Sequence, residues 1–254
     1  QTAFLKAHFP VAYMAALLSV NSGSTDKMQR YISNCYSMGI DVISPSINLS
    51  GTDFTIKDNQ ILFGLSAIKN LGDSAIRNII NNRNEFGSFK SLSDLCDRLP
   101  VNVLNKRNLE SLIHCGALDE FSEDKNRAQL LSDIESVVDW ASSRNKDRLS
   151  GQGNLFDLDS TSENIELSLG NKSKVDDYSL IEKLRLEKQL LGFYLSDHPL
   201  KHLSTPAKLI SPISICNLED FKDRSKVSLV GMIPELKQIT TKKGDRMAIV
   251  QLED

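Results

Sequence analysis

The residues of this chain best suited to chemistry lie in a short turn at positions 68–75, with the sequence IKNLGDSA. Asn70 and Gly72 are residue types that tolerate a positive φ, so the backbone can turn sharply there and begin a new helix at once. The first N–H groups of such a helix have no partner within it and lie at its positive end. A turn of this kind binds phosphate without reading bases. The sequence therefore predicts a nucleic-acid backbone as the ligand of residues 70–74.

A second candidate site is the peptide QGNLF at positions 152–156, which lies in a polar and acidic stretch over 151–177. Leu155 and Phe156 have no core of their own to enter, and burying both on a partner is worth about 3–5 kcal/mol before ordering costs. Gln152 can add a directional hydrogen bond. The arrangement is typical of a short peptide that docks in the hydrophobic groove of another protein. The alternative, in which both side chains fold back on the preceding helix, stays open.

The spacing of apolar residues predicts the elements that hold the first site. A helix begins at Pro10, a second one ends at Gly39, and a β-hairpin turns at Asp58 and Asn59. Three further helices follow, over about 73–83, from Ser91 and from Asn105, the last of them ending at Gly116. Residues 63–118 thus form two helix–turn–helix pairs, which must pack on each other to bury their apolar faces.

Beyond these pairs, the pattern predicts a long amphipathic helix over about 124–148 and another helix over about 178–191. From position 227 the period changes to two, and three strands over 227–233, 236–241 and 247–252 are expected to form an antiparallel meander. The predicted fold class is mainly α: a tandem helix-hairpin-helix domain with flanking helices, followed by a few β-strands.

The composition limits the function. Net charge is −3, and residues 51–118 carry eight Lys and Arg against seven Asp and Glu, so phosphate binding there must depend on oriented backbone dipoles and a few placed cations. The four cysteines, at positions 35, 96, 115 and 216, show no metal-ligand spacing and are expected to be reduced thiols in a cytoplasmic protein. No membrane span or signal peptide is predicted. The first residue is Gln1, so the numbering is expected to start inside a longer polypeptide.

With both sites in view, the chain resembles the C-family replicative DNA polymerases, the family of the bacterial DNA polymerase III alpha subunits. Residues 3–18 are similar to the end of the fingers region, and 68–76 to the helix-hairpin-helix, although that family usually has Gly where this chain has Asn70. Residues 105–119 resemble the degenerate second hairpin. The motif formed by Gln152, Leu155 and Phe156 corresponds to the Q-x-x-L-F peptide that binds the sliding clamp, and 191–200 matches the segment before the OB domain.

The resemblance implies a division into six parts. These are the end of the fingers (1–50), the tandem helix-hairpin-helix that binds duplex DNA (51–120), an amphipathic helix of the clamp-binding domain (121–150), an acidic linker with the clamp-binding peptide (151–177), a helix and connector (178–204), and a truncated OB-type barrel (205–254). It implies a duplex-DNA site formed by Lys69, Asn70, Leu71, Gly72, Asp73, Ser74, Lys106 and Arg107. It also implies three partners: template-primer DNA, the beta sliding clamp and other replisome subunits. On an OB-type barrel, Lys242, Lys243 and Arg246 would lie beside a single-stranded DNA groove, with ordinary surface cations as the alternative.

The resemblance also implies what this chain lacks. Polymerisation needs clustered carboxylates that hold two Mg²⁺ ions, and in this family they lie in the palm, upstream of the fingers. We therefore expect no catalytic residues, no cofactor and no polymerase activity in this chain alone. His198 and His202 are separated by Pro199 and do not predict a metal site. Two rival functions remain: a non-enzymatic DNA-binding adaptor, and a DNA-repair glycosylase that would use Asp94 or Asp97.

Overall fold

The computed structural model describes residues 1–99, 102–121, 126–150 and 175–197, then 199, 206, 209–211, 213, 215–222, 224–240 and 244–253. The chain divides into two compact units, Gln1–Ser196 and Asp197–Asp254. The first unit contains α1 (Thr2–His8), α2 (Pro10–Val20), α3 (Thr25–Ser37), β1 (Val42–Ile43), β2 (Thr55–Lys57), β3 (Gln60–Leu62), α4 (Asp73–Phe86), α5 (Leu92–Arg98), α6 (Lys106–His114), α7 (Arg127–Ser150) and α8 (Leu180–Leu191). The second contains β4 (Met232–Thr240) and β5 (Arg246–Glu253). The prediction of a mainly α chain with a few strands is confirmed.

Local chemistry explains where the helices begin. Pro10 occupies the first turn of α2, as predicted. The Ser91 side chain accepts a hydrogen bond from the N–H of Asp94 and so caps α5. At α6, the side chains of Asn105 and Asn108 each accept a hydrogen bond from the backbone N–H of the other residue. The predicted helix start near Ser91 and the predicted cap at Asn105 are therefore confirmed.

The strands of the first unit form a small sheet in the order β1-β3-β2. β2 and β3 pair antiparallel across a two-residue turn in which Asp58 and Asn59 adopt φ of 50° and 63°. Two consecutive residues with positive φ match the right-handed twist of a tight hairpin, which confirms the predicted turn. β1 adds a parallel pairing, with Val42 opposite Ile61, which two residues of sequence were too short to predict.

The core of the first unit is continuous from the N-terminal helices to α8. Its largest fully buried side chains come from α2, α3, β3, the helices α4 to α6 and the segments that connect these elements: Phe63, Met14, Leu18, Met28, Ile47, Ile61, Leu65, Ile76, Ile79, Leu95, Leu104 and Leu109. The rings of Phe54 and Phe63 meet edge to face at 4.7 Å. α5 and α6, the helices of the second pair, both pack against α7, whereas the sequence analysis expected the two pairs to bury their apolar faces on each other.

The structure adds one helix that the sequence analysis missed. α1 precedes Pro10 and has no buried residue. Phe4 and Phe9 are both 59% exposed. A seven-residue helix without a buried face leaves no periodic signal, because no side chain is selected for a core.

In the second unit, β4 and β5 pair antiparallel, with Leu236 opposite Val250. The expected three-strand meander is wrong in its first part: residues 227–231 are not in a strand, and β4 is one continuous strand through the predicted break. The pairing register shifts between Met232 and Glu235, on either side of Pro234. Proline has no N–H to donate to the ladder, so the strand passes the residue with a bulge and does not end there.

Candidate nucleic-acid interface

The predicted phosphate-binding turn follows a short 3₁₀ helix at Leu65–Ala67. The N–H of Leu71 donates to the carbonyl of Ile68 at 3.3 Å, and Asn70 adopts a φ of 68°. Gly72 has a φ of −79° and a ψ of 155°, which is extended backbone. The expectation that this turn uses positive φ is therefore confirmed for Asn70, and Gly72 does not need it.

The first residues of α4 are exposed to solvent. Gly72 is its N-cap and offers no side chain to accept the free amides, and no side chain among the described residues caps the helix. The first helical bond recorded at this end runs from Ile76 N–H to Gly72 O at 3.1 Å. Gly72, Asp73 and Ser74 are exposed. The positive end of α4 thus presents backbone donors to solvent, although the carboxylate of Asp73 lies at the same end.

No described residue lies close to the Gly72 α-carbon on its side-chain face. A Cβ built there would meet no heavy atom of the described part of the chain within 4 Å, and the φ and ψ of Gly72 are open to any residue. The protein itself therefore does not require glycine at position 72. A bare backbone at an exposed helix start lets another molecule approach closely. Leu71 differs, since its side chain is 7% exposed and belongs to the core.

Lys69 is engaged with α8. Its backbone N–H donates to Leu190 O at 3.3 Å, and its Nζ donates to Gln189 O at 3.2 Å. These carbonyls lie in the last turn of α8, where a helix has unsatisfied acceptors and a negative end. The sequence analysis did not anticipate this partner, because the two segments are 120 residues apart.

Asn70 connects the first hairpin to the second. Its backbone carbonyl accepts a hydrogen bond from Asn108 Nδ2 at 2.7 Å, and its side chain lies 3.4 Å from Ser111 Oγ. Asn108 and Ser111 belong to α6. The beginnings of α4 and α6 are therefore neighbours in space.

The cations of the second hairpin lie at the start of α6. Lys106 forms an exposed ion pair with Glu135, which raises the pKa of the ammonium and lowers the pKa of the carboxyl. Arg107 is exposed, and no ion pair is found for it among the described residues. Arg77 is likewise exposed and unpaired in the described part of the chain. Arg77 lies three residues after Ser74, and helical spacing could have selected it, because residues three apart share a face.

Arg98 holds the connection between α4 and α5. Its Nε donates to Asn82 Oδ1 at 2.7 Å, and its terminal nitrogens donate to the carbonyls of Asn82 and Gly87 at 3.1 and 2.8 Å. The guanidinium also stacks 4.2 Å from the centre of the Phe89 ring. These bonds satisfy carbonyls at the end of α4 and fix the angle at which the second pair leaves the first.

The acidic residues considered for glycosylase chemistry are used in ion pairs. Asp94 Oδ2 lies 3.2 Å from Arg98, and Asp97 Oδ2 lies 2.9 Å from Arg148 and 3.6 Å from Arg144. A carboxylate held by such partners is poorly placed to act as a free base, which argues against the glycosylase alternative.

The described residues give little support for a metal site or for a reactive cysteine. Within them, no group of three or more His, Cys, Asp or Glu side chains is arranged to hold a metal ion. Cys35, Cys96 and Cys115 are free and buried. Burial raises the pKa of Cys35 to about 11 and the pKa values of Cys96 and Cys115 to about 12, so these thiols are inert at neutral pH.

Several predicted site residues lie outside the described part of the chain. These are the three residues of the clamp-binding motif, the two histidines near Pro199 and two of the three cations at the β4–β5 turn: Gln152, Leu155, Phe156, His198, His202, Lys242 and Lys243. Arg246 is described, and it is the exposed first residue of β5. Across the described helices, none combines the length and the apolar character that crossing a bilayer requires.

Comparison with known protein families gives a match in this region. Residues 39–130 match the family model for the helix-hairpin-helix motif. That range includes both turns and all eight residues of the predicted duplex-DNA site.

The whole chain is also similar to curated proteins. It is 41% identical to the DNA polymerase III subunit alpha of Thermus aquaticus over 261 residues, which covers 100% of this chain and 20% of the relative. The corresponding subunits of Deinococcus radiodurans and Pseudomonas aeruginosa are 38% and 35% identical, again over the whole chain and over 19% and 23% of their own lengths. The predicted resemblance is confirmed, and the chain spans about a fifth of these relatives.

Proposed function

We propose that this chain binds the backbone of template-primer duplex DNA and tethers its polymerase to the beta sliding clamp. Its whole length corresponds to about a fifth of a DNA polymerase III alpha subunit. One observation carries the DNA part of the proposal. The uncapped start of α4 lies beside the start of α6, joined by the bond between Asn108 and the carbonyl of Asn70.

The character of the interface favours phosphate over bases. Backbone N–H groups at a helix start bind phosphate oxygens, which are the same at every base pair. The hairpin region is nearly neutral, so binding depends on these dipoles and on a few exposed cations such as Arg107 and Arg77. Such contacts hold a duplex in register without selecting its sequence, which is what a replicative enzyme requires.

Within the proposed site, the residues have different roles. Gly72, Asp73 and Ser74 supply backbone amides, while Asn70 and Leu71 shape the turn. Lys106 and Arg107 supply charge at the second hairpin. Arg77 adds a cation on α4, since the side chains of a helix lean toward its N-terminus and that of Arg77 therefore leans over Ser74.

Salt-dependent duplex binding tests this proposal. Fluorescence anisotropy of labelled duplexes of several sequences should give similar affinities that fall with salt. Replacing a phosphate contact should reduce the slope of log K against log salt by about 0.9. We expect this reduction for Arg107→Gln, with Lys27→Gln on the exposed face of α3 as the matched control. Sequence-selective binding, or equal slopes of log K against log salt in the two variants, would contradict a phosphate-binding role.

The clamp part of the proposal depends on Gln152, Leu155 and Phe156, which lie between α7 and Val175 in the sequence. α7 ends at Ser150. At the start of α7, Val175 N–H donates to Gln129 Oε1 at 2.9 Å, and Asn126 Nδ2 donates to Val175 O at 2.8 Å. Ser150 and Val175, the described residues on either side of the motif in the sequence, therefore lie at opposite ends of α7.

The length of α7 and the number of residues between α7 and the motif can be converted into distances. α7 is 24 residues long, or about 36 Å at 1.5 Å per residue. Phe156 is six residues beyond the end of α7 in the sequence, and a fully extended chain of that length would span at most about 22 Å. A clamp bound to this peptide would therefore dock near the C-terminal end of α7.

We extend the proposal to the domain plan and the parent protein. Residues 1–50 would end the fingers, 51–120 form the DNA-binding hairpins, 121–150 and 151–177 the clamp-binding helix and linker, and 178–204 a connector. Residues 205–254 would begin an OB-type barrel; the β4–β5 hairpin supports this assignment, and Lys242, Lys243 and Arg246 at its turn would contact single-stranded DNA. The parent would be a cytoplasmic DNA-directed DNA polymerase with other replisome subunits as partners. Its Mg²⁺ ions would be held by the palm, so this chain alone would be inactive.

A non-enzymatic DNA-binding adaptor is the second candidate function. It would use the same hairpins and the same docking peptide. The identity of 35–41% to three polymerase subunits over the whole chain favours the polymerase proposal over the adaptor.

A further inference from the structure

We propose that Lys69 is a positioning residue, which holds the phosphate-binding turn against the C-terminal end of α8, and that it does not contact DNA phosphate. This inference rests on the proposed function and assigns one of its charged residues a different role. It is carried by the two hydrogen bonds that Lys69 forms to the last turn of α8.

The first step is the hydrogen bonding at the end of α8. The carbonyl of Lys188 accepts the N–H of Gly192 at 2.7 Å. The next two carbonyls, of Gln189 and Leu190, accept the Nζ and the N–H of Lys69. Gly192 is the C-cap of α8. Lys69 satisfies the next two carbonyls, and its positive charge lies at the negative end of the helix.

The second step is that α8 is a rigid anchor. Leu190 and Leu191 are buried. Glu187, which is 1% exposed, accepts the N–H groups of Leu195 and Ser196 at 3.0 and 2.9 Å, and Ser196 Oγ at 2.5 Å. A buried carboxylate with three donors is fully satisfied and resists displacement. A group attached to the end of α8 is attached to the core of the unit.

Close packing beyond α8 adds to this rigidity. Gly192 adopts a φ of 93°, and a Cβ built there would lie 2.1 Å from Thr25 Cγ2. The helix end is therefore pressed against the first turn of α3, with no room for adjustment.

The third step concerns the attachment of the other side of the turn to α6. Asn70, the next residue, is bonded to Asn108 of α6 at 2.7 Å. Two successive residues of the turn are thus held by two different helices, Lys69 by α8 and Asn70 by α6. The amides at Gly72–Ser74 follow directly, so their direction is set by both attachments. The Lys69 ammonium is exposed, and its hydrogen bond to Gln189 O directs it at this helix end.

The test compares Lys69→Met, Arg107→Gln and Lys27→Met in the full 254-residue chain, with duplex-DNA affinity measured over a range of salt concentrations. Lys69→Met should weaken binding about fivefold, the equivalent of one net hydrogen bond, at an unchanged salt slope. Arg107→Gln should reduce the slope by about 0.9. Lys27→Met should change neither quantity.

Amide hydrogen exchange without DNA supplies the second readout. In Lys69→Met, the amides of residue 69 and Gly192 should exchange faster than in the wild type, whereas Arg107→Gln should leave them unchanged. A salt slope reduced by about 0.9 in Lys69→Met would overturn the inference and make Lys69 a phosphate contact. Unchanged affinity or unchanged exchange would overturn it as well. If the wild-type chain bound no duplex, the proposed function would fail, while the exchange comparison would still decide whether Lys69 holds the turn.

Discussion

The side-chain amide of Asn108 donates a 2.7 Å hydrogen bond to the backbone carbonyl of Asn70. Asn108 also belongs to the cap of α6, and Asn70 lies two residues before the N-cap of α4. The starts of two helices are therefore held side by side by one buried amide. The Asn70 side chain also lies 3.4 Å from Ser111 Oγ, a contact that a glycine at this position could not make.

Replacing Gly72 with alanine should weaken duplex binding about tenfold, the equivalent of one charge-assisted hydrogen bond lost to a methyl group at the exposed amides. The melting temperature should not change, because this backbone is extended and the space is empty. Gly23→Ala is the matched control, since a Cβ there also meets nothing within 4 Å. Equal DNA affinity in both variants would show that no ligand approaches Gly72.

Replacing Leu155 and Phe156 with alanine should abolish binding to the sliding clamp, because the two side chains would supply most of the buried apolar area. The helical content in circular dichroism should stay the same. Leu158→Ala, two residues beyond the motif, serves as the control. Calorimetry that finds wild-type affinity in the double variant would refute the docking role.

Arg127→Met should lower the free energy of unfolding by about 3 kcal/mol, because it leaves partners of a largely buried guanidinium unsatisfied. Arg127 bonds both carboxylate oxygens of Asp119, at 2.7 and 2.5 Å, and the carbonyl of His114 at 3.2 Å. Urea titration measures the change. Arg148→Met, at a half-exposed ion pair on the same helix, should cost less than about 1 kcal/mol.

His114 should make the first unit less stable in mild acid. Burial lowers the pKa of His114, with Arg127 acting in the same direction and Glu110 against it. The unfolded chain therefore takes up the proton more readily, and stability present above pH of about 6.5 is lost as the pH falls toward the folded pKa. His114→Gln removes this titration. The urea midpoint of the wild type, relative to the variant, should decrease between pH 7.5 and pH 5, and a constant difference would contradict the assignment.

Primer-extension assays with this chain, Mg²⁺ and deoxynucleotides should give no product. The prediction depends on the resemblance, which assigns the metal-binding carboxylates to a palm upstream of residue 1. Measurable extension that survives purification and disappears with EDTA would overturn it.

Local chemistry made much of the fold predictable. Pro10, Ser91 and Asn105 begin helices, and Asp58 with Asn59 forms a turn, because each acts on neighbours within four residues. These signals need no knowledge of the rest of the chain.

The details of the candidate site were not predictable for the opposite reason. The partners of Lys69 are 120 residues away, and those of Asn70 about 40 residues away. Nothing in the local sequence indicates that a lysine beside a phosphate-binding turn is already occupied by a helix end. Gly72 was expected to be needed for its conformation, whereas its observed φ and ψ are open to any residue and no described residue lies within 4 Å of a Cβ built there.

The short sequence distance between the end of α7 and the proposed docking peptide has a thermodynamic consequence for the proposed assembly. A peptide tethered by only a few residues can sample only a small volume, so its effective concentration for a clamp on the same DNA is in the millimolar range. Once a ring is threaded on DNA and the hairpins hold the same duplex, the second association is intramolecular. The modest affinities for DNA and for the clamp would then combine, and the polymerase would dissociate slowly from its template.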